Sequence, residues 1–285
     1  MADLMEILEL STTSTESKRE KMLDYQVPIP SYNRIEVLQK ATLPMLEKHD
    51  CDPKRITIFV ADDEQYKQYR EAIDKKYEIV VAELGLLNAK RFYHRYYDAG
   101  TKLFNVLDDV YSLKQKDGEK MIQYAGSIDE LVDLGFRASE KVGAQMWGIN
   151  PVANGYFMKE HITVGLRLIY GTIYGDYAGN PAVLGDRVLE NPSGEDWENS
   201  ISSFLSNGSL VRIEWIAPIS KLFAKGGMAD ELKLRGTDRK TEHELHLRAI
   251  ANAYPDLCSV YYKAGNVINL RMKNITHTRI PKGEI

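Results

Sequence analysis

The residues best suited to chemistry are acids placed where an apolar run ends. In "KLFNVLDDVYSL" (102–113) a strand-like stretch stops at Asp108 and Asp109 and resumes at Val110. Two adjacent carboxylates at the end of a buried strand repel each other and need solvent, hydrogen-bond donors or a cation. Hard divalent ions take carboxylate oxygens and keep positions open for phosphate, so the pair is either a metal and diphosphate anchor or the cap of a turn. A second acidic group, "GEDWENS" (194–200), opens a helix-like run. On the residues alone, Glu195 and Asp196 read as acids capping a helix and favoured by its dipole. "PSYNR" (30–34) ends an earlier apolar run, and "KRFYHRYY" (90–97) reads as an amphipathic helix whose basic residues Lys90 and Arg91 face water and whose aromatics are core.

The surrounding texture predicts how these groups are held. "YQVPIP" is a short apolar run ended by prolines, and Ile35, Leu38, Leu43 and Leu46 recur at near-helical spacing until Pro53. Strands "RITIFVA", "YEIVVA" and "KLFNVL" then alternate with helices "DEQYKQYREAID" and "NAKRFYHRYYDAG". That alternation predicts an α/β fold with a mostly parallel central sheet flanked by helices, in which ligands bind beyond the carboxyl ends of the strands. Each strand ends in groups suited to a ligand: "PSYNR", Asp62 with Asp63, Glu83 with Gly85, and Asp108 with Asp109. Further on, "SIDELVDLGFRASEKVG" reads as a capped amphipathic helix, "AQMWGIN" and "SLVRIEWIA" as strands, and "HITVGLRLIYGTIYGDYAG" as two strands or a hairpin. A charged helix around 238–252 and strands "SVYYKAG" and "NVINLRM" complete a mixed α+β C-terminal region. Residues 1–24 read as a helix or tail, and 25–285 as one domain without a linker.

Charge and composition narrow the partners. The formal charge is −4, yet residues 221–285 hold 12 Lys and Arg against 7 Asp and Glu, so a general basic coat is absent while a local basic face remains. Lys233, Arg235, Arg239, Lys240, Arg271 and Lys273 form that face, or else a solvated helix surface. No window approaches the roughly 18 to 20 apolar residues of a membrane span, and the acidic N-terminus is unlike a signal peptide, so a cytoplasmic protein is expected. Cys51 and Cys258 lack a CxxC pattern and read as buried thiols. The histidines of "HELH" (243–246) are three apart rather than the four a zinc protease needs, so they read as part of a surface helix, or one of them completes a metal site.

The order of these segments resembles the nucleotide-binding half of GT-A fold glycosyltransferases. More closely, "PSYNR", "VADDEQY" (60–66), "NPVANGYF" (150–157) and "GEDWENS" resemble the TET/JBP-associated glycosyltransferase family over roughly residues 25 to 225. Members of that family attach sugars to hydroxymethylated pyrimidines in DNA, largely in phages; the arabinose-transferring enzymes of T-even-like phages are a close candidate. The resemblance implies a nucleotide-sugar half (25–110) and an acceptor half (111–285), a UDP-sugar donor carrying glucose or arabinose, and 5-hydroxymethylcytosine DNA as acceptor. It also implies Mn2+ or Mg2+, no membrane, no obligatory protein partner, and the host cytoplasm. By that similarity Pro30, Ser31, Tyr32 and Arg34 surround the uridine or ribose, with Asp62 near the base or ribose. Asp108 meets sugar or ribose, Lys90, Arg91 and Lys225 meet the diphosphate, and Asp109 holds the metal. Asp196 or Glu195 is the base, and the six basic residues hold the DNA backbone. The motif departs from the usual acid, any residue, acid, since the run is Leu107, Asp108, Asp109, Val110. A protein or glycan acceptor, or a non-catalytic nucleotide- or DNA-binding role, fits the same residues.

Overall fold

The computed structural model describes residues 24–190, 193–220, 226–263, 265 and 267–285. The tail expected over 1–24 lies outside the described residues except for Asp24, and so does Lys225. The chain enters as β1 (Val27–Pro30), α1 (Ile35–Lys40), α2 (Thr42–Lys48), β2 (Ile56–Val60), α3 (Asp63–Ala72), β3 (Glu78–Val81), α4 (Leu86–Tyr96) and β4 (Lys102–Val106). It continues as β5 (Val110–Asp117), β6 (Lys120–Gln123), α5 (Ile128–Val142), β7 (Trp147–Ile149), β8 (His161–Leu166) and β9 (Ile173–Tyr177). Then come α6 (Pro181–Leu184), α7 (Glu195–Asn207), β10 (Leu210–Ile213), β11 (Ile216–Ser220), α8 (Met228–Leu234), α9 (Arg239–Ala253), β12 (Cys258–Lys263), β13 (Val267–Met272) and β14 (Ile275–Pro281).

The expected mixed α/β architecture, with a parallel sheet and flanking helices, is present. β1, β2 and β3 pair in parallel, and a single parallel pairing of Gln26 with Leu103 joins them to the sheet β4-β9-β7-β10-β8-β14. β2 is buried along its whole length, which is why "ITIFV" shows no alternation. β1 is an interior strand that carries two prolines. Gln26 exchanges both main-chain bonds with β4, donating to Lys102 O (2.9 Å) and accepting from Phe104 N (2.8 Å). In a parallel strand alternate residues face the same neighbour, so Pro28 and Pro30 also face β4, where they have no N–H to donate. The β1–β4 ladder therefore stops at Gln26, and a cleft lies beyond the carboxyl ends of the two strands.

The core fixes how this sheet meets its helices. α5 begins at the Ser127–Glu130 capping box, ends at Gly143 in the left-handed region, and buries Ile128, Leu131, Val132 and Phe136. Trp147 stacks on Phe104 (6.0 Å between centroids) and meets Phe136 edge-on (5.7 Å). A Cβ at Gly135 or Gly175 would stand 2.3 or 2.1 Å from that indole, so both positions must be glycine for the ring to fit. Cys51 and Cys258 are buried free thiols, as expected. Among the described residues no helix is long and apolar enough to cross a membrane.

Several expectations change. "SLVRIEWIA" is not one strand: β10 ends at Ile213 and β11 begins at Ile216 in a different sheet, β11-β5-β6. The break falls at Glu214, whose buried carboxylate accepts from Asn150 Nδ2 (3.0 Å). The segment 161–179 forms two strands rather than a hairpin, since β8 pairs with β10 and β14 while β9 pairs with β4 and β7. The near-helical run after Arg34 is two short helices broken at Ala41.

One buried acid makes stability depend on pH. Asp176 on β9 is fully buried and accepts from Asn105 Nδ2 (2.8 Å) and Asn180 Nδ2 (3.3 Å). Burial raises its carboxyl to about 7 despite those donors, and burial likewise lowers the adjacent His94 to about 3, leaving that ring neutral. A raised acid keeps in the folded state a proton that the unfolded chain has released, so its cost grows as pH rises from 3.8 to about 7. Asp176→Asn is expected to lose less stability than the wild type across that window, measured by chemical denaturation at each pH. Identical pH slopes would show that Asp176 is already ionised in the fold.

Candidate active site

The cleft between β1 and β4 is lined from both sides by strand-end residues. Ser31 Oγ donates to Asp108 Oδ2 (2.7 Å), and Arg34 donates through Nη1 to Asp108 (2.6 Å) and through Nη2 to Asp109 (3.0 Å). Asp108 is 3% exposed; burial raises its carboxyl to about 7, opposed by Arg34 and Ser31. The loop that carries Arg34 is held from behind. Asp62 caps α3 by accepting from Gln65 N (2.8 Å), and the Gln65 amide both accepts from Asn33 N (3.0 Å) and donates to Asn33 Oδ1 (2.8 Å). Asn33 has φ 53°, a left-handed conformation that asparagine tolerates. Thr42 Oγ1 donates to Leu107 O (2.6 Å) and accepts from Val110 N (3.0 Å), which pins the acid pair at the end of β4.

The opposite wall is built on α7. Glu195 is 4% exposed and forms a buried ion pair with Lys90 of α4, whose ammonium also lies 5.2 Å from the centroid of the Tyr174 ring. Asp196, next along, is raised to about 6 by burial first and then by Glu195, with Lys90 opposing. One turn on, Glu198 is buried against Arg187 (3.3 Å) and His246 Nε2 (3.0 Å), while His246 Nδ1 is bonded to Ser193 O (2.6 Å). Although burial opposes it, the His246 bond and the Arg187 charge hold Glu198 below the ordinary carboxylate range. His246 is thus fully buried, which corrects the reading of "HELH" as a surface helix; its partner His243 lies on the cavity wall and is kept low by burial, then by Arg239. α8 closes a third side. Glu231 accepts from Leu86 N (3.2 Å) at the start of α4, and Gly227 N donates to Tyr32 O (3.0 Å). A Cβ at Gly226 would fall 2.7 Å from Asn33 O, so this turn packs backbone against the "PSYNR" loop.

Together these walls enclose a cavity of about 390 Å3, within the usual range for a small-molecule site. Pro30, Ser31, Tyr32, Arg34, Asp108, Asp109, Glu195, Asp196 and Arg239 all line it. Asp62 does not: its carboxylate is spent on the α3 cap. Lys90 sits behind the wall with Glu195, and Arg91 pairs outside with Glu190 (2.5 Å). Lys233 pairs with Asp230 (3.8 Å) and Arg235 with Glu231 (2.7 Å) on the α8 side; Lys240 lies in the first turn of α9; Arg271 of β13 stands 5.0 Å from the Tyr261 ring centroid, and Lys273 follows β13. Tyr170, Trp197, Glu231 and His243 complete the lining. A divalent ion does not fit Asp109 with the side chains as they stand, because Arg34 already bridges both carboxylates. Among the described residues no three of His, Cys, Asp and Glu converge as a metal site.

No protein family matches the chain, and none of the curated proteins does. Solved structures do match it. TarS 1-349 from S. aureus has a TM-score of 0.46 at 14% identity over 81% of this chain, which spans 66% of that structure, just under two thirds. Glucosyl-3-phosphoglycerate synthase from Mycobacterium tuberculosis, in complex with Mn2+, UDP and glucosyl-3-phosphoglycerate, has a TM-score of 0.41 at 10% identity over 91% of this chain and 90% of its own. The bifunctional IspDF from Campylobacter jejuni has a TM-score of 0.37 at 10% identity over 67% of this chain and 49% of its own.

The Lys90–Glu195 pair sets a stability test. Lys90→Met strands a buried carboxylate and is expected to cost roughly 3 to 5 kcal/mol, whereas replacing both partners by apolar residues restores most of it. Urea denaturation of Lys90→Met beside Lys90→Met/Glu195→Leu measures this, and a double variant no more stable than the single would show that the pair stabilises through more than charge compensation.

Proposed function

We propose that the protein is a GT-A type glycosyltransferase that moves glucose or arabinose from a UDP-sugar to the hydroxymethyl group of 5-hydroxymethylcytosine in DNA. The observation that carries this reading is one cavity uniting the strand-end acids, their arginine and the acid that opens α7. The donor lies against Pro30, Ser31 and Tyr32, with Asp108 toward ribose or sugar. Asp196 takes the proton of the acceptor hydroxyl as that oxygen bonds the anomeric carbon. The bond from that carbon to the diphosphate breaks, and the departing diphosphate keeps the electron pair. Among the described lining residues, Arg34 and Arg239 carry positive charge toward it. Glu195 serves by holding Lys90 and is not the base. The sequence resemblance supplies the choice of DNA, and the basic residues near α8 and α9 are compatible with it. An acceptor base within a duplex must be flipped to reach the cavity.

Incubation with labelled UDP-glucose or UDP-arabinose is expected to label hydroxymethylcytosine DNA and spare unmodified DNA; no label with either donor removes the reading. In the same assay Asp196→Asn should lower kcat by about 10²- to 10⁴-fold with donor affinity kept. A base must be ionised to act, so the wild-type rate should climb with pH through about 6 and then level. A flat profile, or normal turnover in the variant, would hand the proton to another group.

Arg34 and the Mn2+ or Mg2+ expected at Asp109 compete for the same carboxylates. With Arg34 in place, UDP affinity is expected to survive a chelator and to be lost in Arg34→Ala. Affinity that vanishes with chelator and returns with manganese would show that the arginine yields to the ion.

A further inference from the structure

A second pocket, of about 480 Å3, opens on the sheet face formed by β10, β8 and β14 and shares no residue with the cavity above. Its floor is a cross-strand row: Arg212 is paired with Thr163, and Thr163 with Arg279. Arg167, just past β8, and Lys159, just before it, add two more positive charges. The carboxylate on this pocket is Glu214, and it is already engaged by Arg212 through Nε and Nη2 (3.0 Å each) and by Asn150.

The remaining cations meet only neutral groups in the hydrogen bonds they make. Arg167 Nη1 donates to Leu166 O (2.7 Å), and Lys159 donates to Tyr156 O (3.2 Å); Arg279 and Lys159 are exposed. Burial, then Arg212, lowers the Arg167 guanidinium from its ordinary range, with Arg279 adding to it against Glu214. Burial also lowers His161, with Arg279, Arg167 and Lys159 adding to it. Like charges held this close are relieved by an anion, and planar guanidiniums match phosphate oxygens in pairs.

At the rim stand Tyr156 and Phe157, 80% and 61% exposed, with ring centroids 5.1 Å apart and planes at 88°. A free phosphate would use the cations and leave these two large rings in water. A single strand of nucleic acid uses both, its backbone on the cations and a base on a ring.

We propose that this pocket is a binding site for the phosphate backbone of single-stranded nucleic acid, with Tyr156 and Phe157 as the surface on which an adjacent base stacks. It deepens the DNA-acceptor reading, yet its test needs no sugar transfer, so either can fail alone.

The test is fluorescence anisotropy with a short labelled oligothymidylate at about 50 mM salt, repeated across a salt series. Lys159→Glu/Arg279→Glu, two exposed changes, is expected to weaken binding at least about tenfold and to flatten the log–log salt slope by about 1.4, two phosphates at 0.7 each. Phe157→Ala is expected to weaken it by about tenfold with the slope unchanged, since a stacked base carries no counterion. Wild-type protein that fails to bind, or a double variant that binds equally well, overturns the site. Polyglutamate that displaces the oligonucleotide as well as unlabelled oligothymidylate does, charge for charge, overturns the nucleic-acid assignment.

Discussion

Two carboxylates at the end of β4 face each other's charge in a nearly dry cleft, and Arg34, 74 and 75 residues away in sequence, meets both. The rest of the cavity is arranged to keep that guanidinium in place. Its main-chain N–H donates to Tyr69 OH (3.1 Å), the same hydroxyl is hydrogen-bonded to Ser31 Oγ (2.8 Å), and Ser31 returns to Asp108. Losing the guanidinium would leave two buried carboxylates facing each other, and unpaired charge in a poorly solvated site is costly. The bonds are therefore mutually dependent.

The α7 wall follows a different rule. Glu195 and Glu198 are each given a cation or a histidine in the protein interior, while Asp196 between them is half-exposed to the cavity. Helical geometry does this: residues one apart point to different faces, so consecutive acids of one segment reach different surroundings. The result is two carboxylates held in ion pairs and one, Asp196, that is more open to the cavity, and the raised value belongs to it.

Much of the fold was legible because strand and helix alternate plainly from Gln26 to Val106, and the capped helix α5 announces both its ends. β14 was missed because "ITHTRIP" is mostly polar, as an exposed edge strand is, and β5 and β6 because their residues are half-exposed without regular alternation. The rule that strand ends gather brought Pro30, Ser31, Tyr32, Arg34, Asp108 and Asp109 toward one ligand, and they line one cavity, whereas the same rule included Asp62, whose carboxylate caps α3 instead. What each one touches was not legible. Nothing in "KRFYHRYY" says that Lys90 turns inward to Glu195, 105 residues on, while Arg91 turns outward. Nor does "HELH" reveal that Glu198 and Ser193 O await one of its rings in the interior.

The prolines of β1 have a mechanical consequence. Past Gln26 the two halves of the great sheet are unstitched: no ladder crosses from β1 to β4, and each half keeps its own main-chain bonds, β1 to β2 and the end of β4 to Thr172 (3.0 Å from Leu107 N). Parting them at the mouth costs side-chain contacts and not backbone pairing. Past Gln26 the two strands are joined instead by side chains, Ser31 and Arg34 reaching across to the acid pair.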